Sequence, residues 1–142
     1  MFKKIFFDAN ILIDVFDAKR KAHRASTALY KSLYAQNVTL LTSCDIITTI
    51  YYITAKQTAL EKALEAIEIV NDTIEVISFG GDEVAETIRL MKEDSDYKDF
   101  EDTLQYVLAL RHGAEAIITN DRNFVSKNLP VYTAKAFMTK YF

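Results

Sequence analysis

Short β-rich apolar runs alternate along this chain with longer stretches whose apolar residues recur at helical spacing. Lys4-Ile5-Phe6-Phe7, ending at Asp8, is the first run, and its lack of polar alternation predicts a strand buried on both faces of a parallel sheet. Ile11, Leu12, Val15 and Phe16 predict a helix over 10–16; Ala25, Ala28, Leu29 and Leu33 predict another over 22–34, after a charged turn at 17–21. A second strand is expected at 38–41. Ser43 is expected to cap a helix carrying Ile46, Ile47, Ile50, Tyr51 and Ile53, apolar on much of its surface and therefore central. Leu60, Ala63, Leu64, Ile67 and Val70 form the stripe of a helix over 58–71, and a third strand follows at 74–77.

Gly80-Gly81 punctuates the chain, and Asp82 opens a helix reaching Lys92. The polar, acidic stretch 93–98 is a loop. Residues 99–111 form a helix with Leu104, Val107, Leu108 and Leu110 inward, stopped by Gly113. A fourth strand at 116–119, a turn at 121–124, an edge strand at 131–132 after Pro130 and a helix at 134–141 complete the chain. Strands alternating with helices imply right-handed crossovers and a three-layer α/β/α sandwich with a mainly parallel central sheet, formed by residues 1–142 as a single domain.

Composition agrees with a packed domain. Half of the 142 residues are hydrophobic, with nine Phe and eight Tyr against three Gly and one Pro. The formal charge of −3 argues against a broad basic surface, so any contact with nucleic acid is local. One cysteine, Cys44, cannot form an internal disulfide and is expected to be a buried structural thiol. With neither a secretory signal nor a run of about 18 apolar residues, the expected location is cytoplasmic, with no membrane contact.

In such sheets, sites form at the carboxyl edge of the strands near a topological switch. Asp8 follows the first strand, Asp121 the fourth, and Asp99 and Asp102 lie in one helical turn, three residues apart. Asp residues at these places also serve as helix caps or favour the positive end of a helix. Taken as a set, however, four carboxylates at one edge repel one another unless a cation compensates, and oxygen-only ligands select Mg²⁺ or Mn²⁺ over zinc. Asp94, Asp96 and Glu101 read as solvated surface.

Phe6-Phe7-Asp8-Ala9-Asn10-Ile11-Leu12, Asp99-Phe100-Glu101-Asp102-Thr103-Leu104-Gln105 and Ile118-Thr119-Asn120-Asp121, in this order, resemble the PIN domain over nearly the whole chain. The resemblance implies a nuclease holding Mg²⁺ or Mn²⁺, in a family that includes many toxins of toxin–antitoxin pairs. By position, Asp8, Asp102 and Asp121 match family metal-site acids, Asp99 looks like an added acid of one branch, and Asn10 and Thr119 match neighbouring polar positions. The family's usual Glu on the helix after the second strand is missing: its place falls near Thr48 or Thr49, with Asp45 close by but better read as a helix cap.

The implied activity is an endoribonuclease leaving 5′-phosphate and 3′-hydroxyl ends, with Asp99 or Asp121 as candidates to orient or deprotonate the water. His23 and His112 are read as surface residues. The Lys19-Arg20-Lys21-His23-Arg24 cluster is placed to touch RNA phosphates, with Asn10 and Thr119 as further candidates for substrate contact. Tyr51 and Tyr52 are read as core or dimer contacts. RNA, an antitoxin protein and a second copy of the chain are the expected partners. Rival readings are a catalytically weak or inactive PIN-like binding protein, a DNA nuclease of related architecture, and an aspartyl phosphatase. The last requires a second Asp where Asn10 stands.

Overall fold

A computed structural model describes all residues, Met1–Phe142. Five strands, β1 (Lys4–Phe7), β2 (Thr39–Ser43), β3 (Glu75–Ile77), β4 (Ala116–Ile118) and β5 (Val131–Tyr132), form one sheet in the order β3-β2-β1-β4-β5. Every pairing is parallel, including the short β5 edge. The helices are α1 (Ala9–Phe16), α2 (His23–Ala35), α3 (Ile46–Gln57), α4 (Leu60–Thr73), α5 (Gly81–Glu93), α6 (Phe100–Arg111) and α7 (Ala134–Tyr141).

The pleat explains why β1 is apolar throughout. Ile5 and Phe7 point into a core shared with α1, α2, α3, α4 and α7, whereas Phe6 points into a second core with α6. Neighbouring strands repeat the division: Leu40 and Ile118 join the first core, Leu41 and Ile117 the second. The expected three layers are therefore present.

Four expectations are corrected. Ser43 is the last residue of β2 and caps no helix; its hydroxyl donates to the Asp45 carboxylate. Helix α3 is not central, since only Ile46, Ile50 and Thr54 are buried, and Tyr52 is 70% exposed. On α4 the buried face is Ala63, Ala66 and Val70, leaving Leu60 and Leu64 62% and 55% exposed. Small residues face the core here because α3 and α4 pack on each other beside the sheet, where an Ala permits close approach and a Leu does not. Leu110, expected inward, is also exposed. Gly113 ends α6 with φ +74°, a left-handed conformation that favours glycine.

From β1 the chain builds outward through β2 to β3, then crosses back to place β4 on the other side of β1. The switch lies between the carboxyl ends of β1 and β4, which carry Asp8 and Thr119 to Asp121.

Candidate functional site

Asp8 is the buried floor of this edge. It caps α1 by accepting from the Ala9 amide at 2.6 Å, while its other oxygen accepts from Thr119 Oγ1 at 2.7 Å and Asn10 Nδ2 at 2.9 Å. Capping and site geometry thus reside in one carboxylate. Asn10 Nδ2 also donates to Thr119 Oγ1 at 3.0 Å and its Oδ1 accepts from the Asn120 amide at 3.1 Å, so both residues lie beneath the site, knitting β1 to β4. Burial pushes the Asp8 pKa up and Asp121 adds to the rise; Thr119, Gln105 and the Ala9 amide oppose it.

Helix α6 brings the remaining acids. Asp99 is its N-cap, accepting from the Asp102 amide at 2.9 Å. One turn in, Asp102 is half-buried, and its pKa is pushed up to about 7 by burial first, then by Asp8, Asp99, Asp121 and Glu101. A cavity of ≈ 660 Å³ is lined by Asp99, Asp102 and Asp121, with Lys98, Asn123 and Lys127 on its walls. Asp121 also borders a second hollow of ≈ 370 Å³, where Asn10, Arg20, Lys21 and Asn120 stand.

The four acids therefore share one electrostatic neighbourhood, but no three His, Cys, Asp or Glu side chains close on a single point at coordinating distance. The donor chemistry is that of a hard divalent cation, which oxygen ligands prefer. A further observation points the same way. Gln105, 1% exposed on α6, lies near enough to oppose the rise in the Asp8 pKa, yet neither its Nε2 nor its Oε1 meets hydrogen-bond geometry with any partner. The oxygen donors present fit a hard divalent cation.

Glu101, read from sequence as solvated surface, belongs to this neighbourhood. Much of its side chain is exposed, but partial burial of the carboxyl raises its pKa, with Asp45, Asp8 and Asp99 adding to the rise. Asp45 makes no side-chain capping bond to α3, contrary to expectation, and its carboxylate is held by Ser43 instead. Thr48 Oγ1 donates to the Asp45 carbonyl, so the position of the missing Glu contributes nothing to the acids. The pair Asp45 and Glu101 supplies negative charge from that side. By contrast, Asp94 and Asp96 are both paired with Lys127, at 2.7 and 2.8 Å, and this paired group forms one wall of the same cavity through Asp96 and Lys127.

Among the basic candidates, Lys21 lines the smaller hollow and Lys19 and Arg24 are exposed beside the same turn. Arg20 is oriented by Asp14, which sequence reasoning passed over: Asp14 is buried and accepts from Arg20 Nε at 2.7 Å, Asn120 Nδ2 at 2.8 Å and Ser26 Oγ at 3.0 Å. The signal for it was an acid on the apolar face of α1, with Ile11 and Leu12. His23 is half-buried, its Nδ1 donating to the Asp14 carbonyl at 2.8 Å, which corrects its assignment to the surface.

Residues 4–123 match the family model for the PIN domain. Over 139 residues the chain is 42% identical to Ribonuclease VapC1 of Aquifex aeolicus (strain VF5), covering 98% of this chain and 96% of that protein. Among solved structures, VapBC2 from Rickettsia felis, bound to a DNA fragment from its promoter, superposes with a TM-score of 0.70 at 17% identity, covering 92% of this chain and 98% of that one. A toxin–antitoxin complex from Klebsiella pneumoniae gives a TM-score of 0.66 at 21% identity, covering 92% and 97%. Mycobacterium tuberculosis VapC20, a Sarcin-Ricin loop cleaving toxin, gives 0.66 at 17% identity, covering 84% and 92%. These three likenesses establish the fold.

Proposed function

The chain belongs to the PIN-domain family, and on that premise we propose that it is the metal-dependent endoribonuclease toxin of a toxin–antitoxin pair. The observation that carries this reading is the electrostatic neighbourhood shared by Asp8, Asp102 and Asp121, supplied by the end of β1, α6 and the end of β4, in which Asp102 is raised to about 7 by burial and by its acidic neighbours. The likeness to a named ribonuclease over nearly the full length of both chains supports the substrate class.

Asp8, Asp102 and Asp121 would hold Mg²⁺ or Mn²⁺, with Asp99 contributing from the α6 cap and Asp45 and Glu101 adding charge in place of the missing Glu. When bound, the ion supplies the positive charge that the scissile phosphate and the departing 3′ oxygen need. Thr119 and Asn10 hold Asp8 in its orientation by donating to it, and the Thr119 bond opposes the rise in its pKa. Asp121 borders both hollows and would lie beside the bond to be cut, with Arg20 and Lys21, which line the smaller hollow, available to phosphates. Hydrolysis would leave 5′-phosphate and 3′-hydroxyl ends.

An antitoxin is the expected protein partner, as in the complex from Klebsiella pneumoniae. Exposed apolar side chains on α3 and α4, Tyr52, Leu60 and Leu64, offer surface for it or for a second copy of this chain. No helix is long and apolar enough to cross a membrane.

Cleavage of end-labelled structured and single-stranded RNA by wild type and Asp8→Asn, each with Mg²⁺, Mn²⁺ or EDTA, tests the reading. Cutting that disappears with EDTA and with Asp8→Asn supports it. Cutting that persists in both, or that never occurs, overturns it, and a DNA competitor separates ribonuclease from DNA nuclease.

A further inference from the structure

Helix α6 is buried continuously from Thr103 to Ala109, and a helix enclosed in this way is ordinarily apolar all round. Two polar residues interrupt it. Thr103 is satisfied, its hydroxyl donating to the Asp99 carbonyl at 2.6 Å. Gln105 is not: both carboxamide heteroatoms are buried without a partner. A neutral group left in this condition lowers stability through its unrepaid desolvation, a loss that a Leu or Met of similar size would avoid. Gln105 lies three residues after Asp102, on the same side of the helix and toward Asp8, so the unmatched amide is aimed at the acids.

We propose that Gln105 is a positioning residue of the metal site, whose carboxamide completes its hydrogen bonds on Asp8 and on water hydrating the cation. The proposal rests on the metal-dependent reading above. An amide suits the task because it offers both a donor for a carboxylate and an acceptor for water, and it adds no charge to a crowded acidic centre. Partners behind metal ligands commonly contribute tenfold to a hundredfold in affinity by fixing ligand orientation. On this account the polar side chain weakens the metal-free fold and strengthens the metal-bound one.

The test measures thermal unfolding in EDTA and Mn²⁺ affinity by calorimetry, without RNA, on the full chain at pH 7.5 for wild type, Gln105→Met and Gln105→Glu. Gln105→Met is expected to melt at or above the wild-type Tm in EDTA and to bind Mn²⁺ about tenfold more weakly. Gln105→Glu is expected to melt lower in EDTA, having added a carboxylate, and to gain more Tm from Mn²⁺ than wild type. Wild-type affinity in Gln105→Met, whatever its Tm, shows an ordinary packing residue and overturns the proposal. Should that variant not fold, a Mn²⁺-induced gain in Gln105→Glu no larger than wild type overturns it instead. Wild type that takes up no Mn²⁺ defeats the metal-dependent reading itself, an outcome separate from a wild type that binds and a variant that binds equally.

Discussion

Thr119 Oγ1 donates to Asp8 Oδ2 across 2.7 Å, joining residues 111 apart in the chain at the carboxyl ends of adjacent strands. This bond turns the acid of β1 toward the acids of α6. Thr119→Val preserves shape and removes the donor, leaving a buried carboxylate oxygen with Asn10 alone. We expect a loss of about 1–3 kcal/mol in chemical denaturation. A change below about 0.5 kcal/mol would show that Asn10 suffices.

Asp102 makes metal-free stability depend on pH. Its folded pKa of about 7 lies above the ordinary aspartate value of 3.8, so between these values the folded state holds the proton more tightly than the unfolded one. The stabilisation is complete at low pH and is lost as pH rises toward and through 7. In EDTA, the Tm is expected to fall between pH 5 and pH 8, and Asp102→Asn is expected to flatten that fall. An unchanged slope in the variant would place the titration elsewhere.

Asp14 holds the turn between α1 and α2 through Arg20, Ser26 and Asn120. Asp14→Ala leaves three donors without their acceptor and opens a gap on the face of α1. A destabilisation of about 2–4 kcal/mol is expected in urea unfolding. Arg20→Ala is expected to cost less, because Ser26 and Asn120 still serve the carboxylate. Equal losses in the two variants would mean that the ion pair alone matters.

Lys127 ties the loop after β4 to Asp94 and Asp96, and its own backbone amide donates to Tyr97 Oη at 3.1 Å. Because the ammonium is largely exposed, Lys127→Ala is expected to change stability by less than about 1 kcal/mol, and by less still at high salt. Since Lys127 also lines the larger cavity, RNA cleavage is expected to show a raised KM with little change in kcat. A fall in kcat alone would mean that the loop positions the acids.

Leu64→Arg tests the exposed face of α4. Leu64 is 55% exposed, so the folded monomer is expected to change by no more than about 0.5 kcal/mol. Self-association, or retention of a co-expressed antitoxin, is expected to fall, measured by light scattering and by co-purification. Unchanged association would place the interface elsewhere.

The apolar run before Asp8, the acids at 99, 102 and 121, and the strand–helix alternation were legible along the chain because local pattern dictates them: a strand buried on both faces must be apolar, and a parallel sheet must be built through crossovers. The resemblance in the three acid-bearing segments reached the family for the same reason. Other features depend on neighbours distant in the chain. Ser43 extends a strand because it pairs with Ile77 of β3; Leu64 is exposed because α4 turns Ala63, Ala66 and Val70 inward; Asp14 is buried because Arg20, Ser26 and Asn120 close over it. Glu101 and Asp45 become neighbours only when α6 and the start of α3 meet at the sheet edge. Sequence by itself determined which elements form and which acids lie at their ends, since those follow from spacing. Tertiary structure decided which polar groups find partners, and left Gln105 without one, because burial and hydrogen-bond geometry are properties of the packed chain.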